Sequence, residues 1–317
     1  MTAYLVRRVL WLGVVLFCVA LITFSLMHAV PGGPWDREKT LAPAVMANLN
    51  RKYGLDKPVW RQFIDYLRHA LHGDLGVSYT YQERPVSQII SNGFRVTASL
   101  GLLAFAFTLV VGLGLGILSA ARPNSLLDYG SVLCTTLGAS IPSFVLGVLA
   151  VIVFAVKLGW LPTGGWGLRL DWPPLDDWMA VQQAVLPTVT LAALPTAYLA
   201  RVTRASVLEV LRQDYVRTAW AKGLREQTVI LRHVVRNALL PVLTLAGPIA
   251  VNLVTGSFII ETIFSIPGVG RLFVTAVFQR DYGLIMGTIL FYAGMVAIAN
   301  LIVDLLYVVV DPRIRYS

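Results

Sequence analysis

Charged residues are absent from six long stretches of the chain, 9–35, 96–121, 129–156, 178–200, 237–260 and 282–303. About 20 helical residues at ~1.5 Å each cross a hydrocarbon core of about 30 Å, and each stretch is at least that long. None alternates in polarity as a membrane barrel strand would, so the pattern predicts six transmembrane helices. Two amphipathic patterns lie between them. In 59–71 the residues Val59, Phe63, Leu67 and Leu71 form a stripe, with Trp60, Ile64 and Ala70 alongside. Arg61, Gln62, Asp65, Arg68 and His69 take the other side, Pro58 suits the first turn and Gly73 the end, so a helix on the outer membrane face is expected. In 201–240, Val207, Leu208, Leu211, Tyr215 and Ala219 line one side of a predicted helix, and Glu209, Gln213 and Arg217 the other. A second helix is expected after Gly223, with Arg225, Arg232 and Arg236 as a basic stripe and Leu224, Leu231, Val234, Val235 and Ala238 as its apolar side. Gly223 stands where a tight turn needs a positive φ or a close backbone approach.

Of the 317 residues, 56% are hydrophobic and 14% charged, with a mean hydropathy of +0.70. A soluble domain has about 25% charged residues, so a disordered or fibrous chain is excluded and an ordinary soluble enzyme is disfavoured. Positive charge sets the orientation. With both termini inside, segments 1–8, 122–128, 201–236 and 304–317 carry 13 Lys and Arg, whereas the short outer segments 157–177 and 261–281 carry 4. The outer segment 36–95 carries 9 more, but long exported segments weigh little in topology. Both termini are expected in the cytoplasm, and the formal charge of +9 reflects mostly this asymmetry and not a nucleic-acid surface. Arg7 and Arg8 before an apolar core look like a signal peptide. The core is too long for one, and no Ala-x-Ala-like site precedes Pro31-Gly32-Gly33, so an uncleaved anchor is expected. Cys18 and Cys134 lie in apolar runs and are expected to be small buried thiols. His69 and His72 are expected to be solvated, not metal ligands.

The chain has no Gly-Lys dipeptide and hence no Walker A phosphate cradle, no His-Glu-x-x-His and no Gly-x-Ser-x-Gly. Gly112, Gly114 and Gly116 alternate inside an apolar span, which predicts close helix packing, not a dinucleotide site. Asp304 and His28 are the ionisable candidates within the spans, and both stand at span ends, whereas a proton-coupled carrier usually keeps such groups near the midplane. Energy must then come from outside the chain, or the protein is a passive pore. Pro142, Pro187, Pro195, Pro241 and Pro248 lie in or at the ends of spans and permit bends. The helix pair of 201–240 fits either anionic headgroups or a groove on a protein. Trp220 outside the first apolar stripe, and Asp214 and Glu226 among the positive charges, favour the groove.

The run Asp214-Tyr215-Val216-Arg217-Thr218-Ala219-Trp220-Ala221-Lys222-Gly223-Leu224, continuing to Arg236-Asn237-Ala238-Leu239-Leu240-Pro241, resembles the EAA loop of binding-protein-dependent ABC importer permeases. More narrowly, it is similar to the first permease subunit of the dipeptide/oligopeptide/nickel group. Tyr4-Leu5-Val6-Arg7-Arg8, Pro31-Gly32-Gly33-Pro34, His72-Gly73-Asp74-Leu75-Gly76, Leu161-Pro162-Thr163-Gly164-Gly165, Glu261-Thr262 to Ile266-Pro267-Gly268-Val269-Gly270, and Asp311-Pro312-Arg313-Ile314-Arg315 extend the resemblance over nearly the whole chain. Arg217-Thr218-Ala219 stands where the family-wide pattern has Glu-Ala-Ala, and Gly33 where it usually has Asp.

The resemblance implies an all-α integral membrane protein of the type I ABC importer permease fold. Residues 1–35 would be a cytoplasmic N-terminus and first transmembrane helix, 36–95 a small external cap, and 96–317 a core of five transmembrane helices containing the cytoplasmic coupling loop 201–240. It further implies a non-enzymatic transport subunit in a prokaryotic cytoplasmic membrane. Its partners would be a homologous second permease subunit, two ATP-binding subunits and an extracytoplasmic solute-binding protein. ATP and Mg would be held by those partners, and this chain would hold no cofactor, metal or nucleic acid. Asp214, Tyr215, Arg217, Ala219, Lys222, Gly223 and Leu224 would dock an ATP-binding subunit, and Phe264, Pro267, Gly268 and Arg271 would meet the binding protein or form an outer gate. Half of a pathway for di- or oligopeptides is the expectation, with nickel or another small solute as the alternative. The rival class is a self-sufficient carrier or channel, which would need no ATPase.

Overall fold

Charge ends a membrane crossing without ending a helix. The computed structural model, which describes residues 2–35, 42–81, 84–168 and 177–310, separates the two boundaries. Its helices are α1 (Thr2–Ala29), α2 (Pro43–Lys52), α3 (Val59–Leu71), α4 (Val86–Ala121), α5 (Leu126–Ser140), α6 (Ser143–Ala150), α7 (Trp178–Leu211), α8 (Asp214–Ala221), α9 (Glu226–Thr228), α10 (Arg236–Val254), α11 (Phe258–Ile263), α12 (Val269–Phe278) and α13 (Tyr282–Val310). Among the described residues the β-structure is one isolated bridge, Val77 with Pro85. The closing motif at 311–315 lies outside the described residues.

α4 starts before Arg95, and α7 continues past Arg201 and Arg204, because the backbone ladder persists wherever the side chains can reach water or a partner. The fifth predicted span lies in one continuous helix, in which α9, a π-helical stretch Val229–Val235 and α10 follow without a break. Among the described residues five helices are long and apolar enough to cross a membrane. The third predicted span is bent. α5 meets α6, continued by the π-helical Val151–Lys157, at 106°, and the pair counted as one crossing brings the total to six. Pro142 has no N–H to give the preceding turn and keeps Ile141 extended, at φ −92° and ψ 124°. Pro187 and Pro195 stay inside α7, and Pro241 and Pro248 inside α10. Of the five prolines marked as possible bends, Pro142 is the one at a break. Helix starts follow local chemistry. Ser125 Oγ accepts from Asp128 N at 3.2 Å, and Asp177 Oδ1 accepts from Met179 N at 3.0 Å, closing the first turns of α5 and α7.

The chain forms two compact units, divided within α4 and within α13. In the first, residues up to Val96 pack with Pro267–Leu301, so segment 36–95 is built together with later sequence. Ala20, Phe24 and Met27 of α1, Val86 and Ile90 of α4, Val269 and Ala276 of α12, and Leu284, Ile285 and Met286 of α13 make its core. α3 rests on this core through Phe63, Tyr66 and Leu67, with Phe63 and Phe24 ring centroids 5.1 Å apart. Half of the predicted α3 stripe behaves otherwise, since Val59 and Leu71 remain exposed. The buried Asp281 accepts from Ser78 Oγ, from Thr80 N at 3.1 Å and from Leu284 N at 3.1 Å, capping α13 and holding the loop before α4.

In the second unit, Thr97–Ile266 pack with the part of α13 from Ile302. Of the five unbroken spans among the described residues α7 is the most enclosed, with 44% of its most apolar stretch buried. Gly112 and Gly116 of α4 face it. A Cβ at Gly116 would stand 2.7 Å from Ala200 O, and one at Gly112 would stand 3.2 Å from Leu199. Gly114 has no atom within 4 Å of its Cβ position, so the alternating triplet resolves into an i, i+4 contact pair. Cys18 and Cys134 are exposed, which corrects the expectation of burial. An apolar stretch that crosses a bilayer turns much of its surface to lipid, so apolarity there does not imply enclosure by protein.

Candidate functional site

The predicted helix pair of 201–240 is three pieces. The stripe from Val207 to Ala219 does not lie on one helix, because Arg212 and the extended Gln213, at ψ 146°, separate α7 from α8. The piece after Gly223 is the beginning of the fifth span. Val216 and Ala219, one turn apart on α8, are buried in a small core with Ala120 of α4, Val207 of α7, and Val229, Val234 and Ala238 of the following helix. Ile117, Leu208, Val210 and Leu211 pack around it. Ala219 was expected on a docking face and is instead under the helix. Its single methyl group fits the seat that α8 occupies.

The other side of α8 is open. Asp214 and Arg217 have side chains 97% and 73% exposed and stand 3.6 Å apart. Tyr215, Trp220, Lys222 and Leu224 are exposed with them. Tyr215 is held in place, since its Oη accepts from Asn237 Nδ2 at 2.8 Å while the same Nδ2 donates to His233 O at 3.0 Å. After α8 the chain turns at Gly223, whose φ is +70° and whose N–H donates to Trp220 O at 2.9 Å. Nothing lies within 4 Å of the position a Cβ would take there. Glycine is needed for the left-handed backbone, and the space beyond it is free for a partner. Leu224 precedes the next helix, and Leu231 is exposed whereas Val234 and Ala238 are buried, so the apolar side predicted for 224–238 is only half inward. Arg225, Arg232 and Arg236 are all exposed. Chemically this is a ridge of mixed charge and aromatic surface on a packed base. Among the described residues no three His, Cys, Asp or Glu gather as metal ligands.

The outer candidates belong to different compact units. Phe264 is fully buried within the second unit, where its carbonyl accepts from Gly165 N at 2.8 Å and its ring lies 3.4 Å from the Cβ position of Gly147. It offers no surface to a binding protein, which corrects the docking half of its expected role. Pro267, Gly268 and Arg271 belong to the first unit, where Pro267 is exposed, Arg271 half-buried, and Gly268 buried at the start of α12. Two carboxylates escaped the sequence reading of sites. Glu261 is fully buried and accepts from Thr97 Oγ1 at 2.8 Å. Asp128 is 3% exposed and forms a forked pair with Arg204. Their isolation beside apolar spans was the available signal, since a lone carboxylate there needs a partner.

An all-helical, multi-pass membrane protein with a seated ridge between two of its spans is the class that fold and site define. Residues 112–316 match the family described as binding-protein-dependent transport system inner membrane component, and residues 1–101 match the N-terminal membrane component of such systems. The chain belongs to this family of transport permeases. It is 40% identical over 316 residues to the oligopeptide transport system permease protein OppB of Escherichia coli (strain K12), with 100% of both chains covered. It is also 40% identical over 315 residues to the dipeptide transport system permease protein DppB of Bacillus subtilis (strain 168), covering 99% of this chain and 98% of that one. Its fold resembles inward-facing conformations of the MetNI methionine ABC transporter at a TM-score of 0.55 and 19% identity, covering 71% of this chain and 97% of the other.

Proposed function

We propose that this chain is one of two membrane-spanning permease subunits of an ATP-driven importer for di- or oligopeptides in a prokaryotic cytoplasmic membrane. Both termini and α8 face the cytoplasm, and segment 36–95 faces outward. Each permease sets its α8 ridge into a groove on an ATP-binding subunit. ATP and Mg are bound and ATP is hydrolysed in those partners, and this chain contributes no catalytic group. A solute-binding protein delivers peptide from outside, with Pro267 and Arg271 on the surface it meets. Peptide as the solute follows from the relatives named above.

One observation carries the reading of the site. α8 buries Val216 and Ala219 in its own protein and leaves Asp214, Tyr215, Arg217, Trp220 and Lys222 outward. A helix bound to lipid headgroups would turn its apolar face to the membrane, whereas this one has already buried that face. Cysteines placed singly at Asp214, Lys222 and Leu224 test it. Bifunctional crosslinking in membranes of the assembled complex should join each to an ATP-binding subunit. Labelling by lipid-soluble reagents alone, with no such adduct, would overturn the docking role.

A further inference from the structure

About two turns before α7 ends, Arg204 closes on Asp128, near the start of α5. Arg204 Nε lies 2.8 Å from Asp128 Oδ1, and Nη2 lies 2.8 Å from Oδ2. Ser119, near the end of α4, donates to Asp128 Oδ1 and accepts from Arg204 Nε at 3.0 Å. The backbone N–H of Asn124 donates to Oδ2 at 3.0 Å. Both carboxylate oxygens are thus doubly engaged, by groups from α4, from the turn after it and from α7.

We propose that the Asp128–Arg204 pair is a positioning link that makes α5 and α7 move as one piece, so that a displacement of α8 reaches the bend at Ile141-Pro142. This rests on the docking role of α8. Apolar side chains can slide past one another at little cost, but a planar two-point fork fixes distance and orientation together. Slipping it would also leave a buried carboxylate unpaired. The path on one side of the link is short. Val207, Leu208 and Leu211 of α7 share the small core that seats Val216 and Ala219 of α8. On the other side α5 runs from Asp128 to Ser140, where the 106° bend begins. Elsewhere α5 packs against α7, as at Gly138, whose Cβ position is 3.6 Å from Ala193 O, and this packing keeps the two helices together beyond the linked end.

The test uses the complete importer in liposomes, with Cys18 and Cys134 replaced by serine. Spin labels at Leu126→Cys and Arg212→Cys, both exposed sites outside the docking ridge, report the distance between α5 and the end of α7. With the pair intact this distance stays the same in the nucleotide-free and ATP-trapped states. Asp128→Asn keeps ATP hydrolysis and lowers uptake per ATP hydrolysed about tenfold, a common size for coupling between sites. Adding Arg204→Gln to it causes little further loss, because both changes remove one shared interaction. A label distance that changes with nucleotide in the intact protein overturns the link, as does Asp128→Asn with unimpaired uptake per ATP. Should Asp128→Asn fail to assemble, the label distance in the intact pair decides alone. Failure of the docking reading is a separate result, seen as absence of crosslinks from α8 to the ATP-binding subunit.

Discussion

α3 and α8 are both short amphipathic helices between membrane spans, yet they are held differently. α8 has 8 residues and buries two of them, Val216 and Ala219. α3 has 13 residues and fully buries none, resting on its unit through the large rings of Phe63 and Tyr66 and through Leu67. Trp60, Ile64 and Leu71 of α3 stay on the surface. Dispersion attraction falls steeply with any gap, so two small side chains in a close seat fix a helix better than larger ones in a partly open contact. α8 is seated firmly in its unit, and α3 lies more loosely over its own.

The largest effect that would break this contrast is at the turn after α8. Gly223→Glu is expected to abolish uptake while membrane insertion stays normal, because the new side chain enters the free space where a partner would dock. Gly223→Ala adds only the left-handed backbone strain, roughly 1–2 kcal/mol, and should keep much of the uptake. Solute uptake compared with the amount of protein in the membrane fraction reads both, and normal uptake by the glutamate variant would remove α8 from the mechanism. A smaller effect sharpens the packing side. Ala219→Leu overfills the seat and should cost roughly 1–3 kcal/mol, read as a lower melting temperature of the assembled complex. Ala221→Leu on the exposed side should change it little. Equal shifts in the two variants would show that the seat is not tightly filled.

The smallest effect lies next to α3. Lys57 Nζ stands 2.7 Å from Asp65 Oδ2 at the surface, and its hydrogen bond holds the Asp65 carboxyl below the usual carboxylate value. A depressed folded-state value stabilises above the unfolded one, near about 4, and the contribution is lost as pH falls through the depressed value. Lys57→Ala should therefore melt slightly below the unaltered protein at neutral pH and coincide with it in acid. A wide gap at neutral pH would mean that α3 is held far more firmly than its exposure suggests.

The spans were legible because a charge in hydrocarbon is expensive, so its absence over a long run has one common explanation. The turn at Gly223 was legible too, because a positive φ selects glycine. The break between α7 and α8 was not, since Arg212 and Gln213 carry no turn signal and the apolar stripe continues across them. Pro142 announced a possible bend without its angle, and the four other prolines lie inside continuous helices. Ala219 and Phe264 were expected on docking surfaces and are buried, because a motif position says nothing about which neighbour covers it. Arg204 counted only as one of the positive charges that set orientation, and it meets Asp128 across 76 residues of sequence.

By itself the sequence determined how often the chain can cross a membrane, which segments are amphipathic, and where the backbone must turn left-handed. These follow from transfer free energies and local sterics, which each residue carries with it. The tertiary structure alone decided which apolar surface is enclosed by the chain and which stays exposed, because hydropathy does not tell one apolar surrounding from another. It also decided which carboxylate meets which guanidinium, because that depends on a few ångströms between helices that no spacing along the chain encodes.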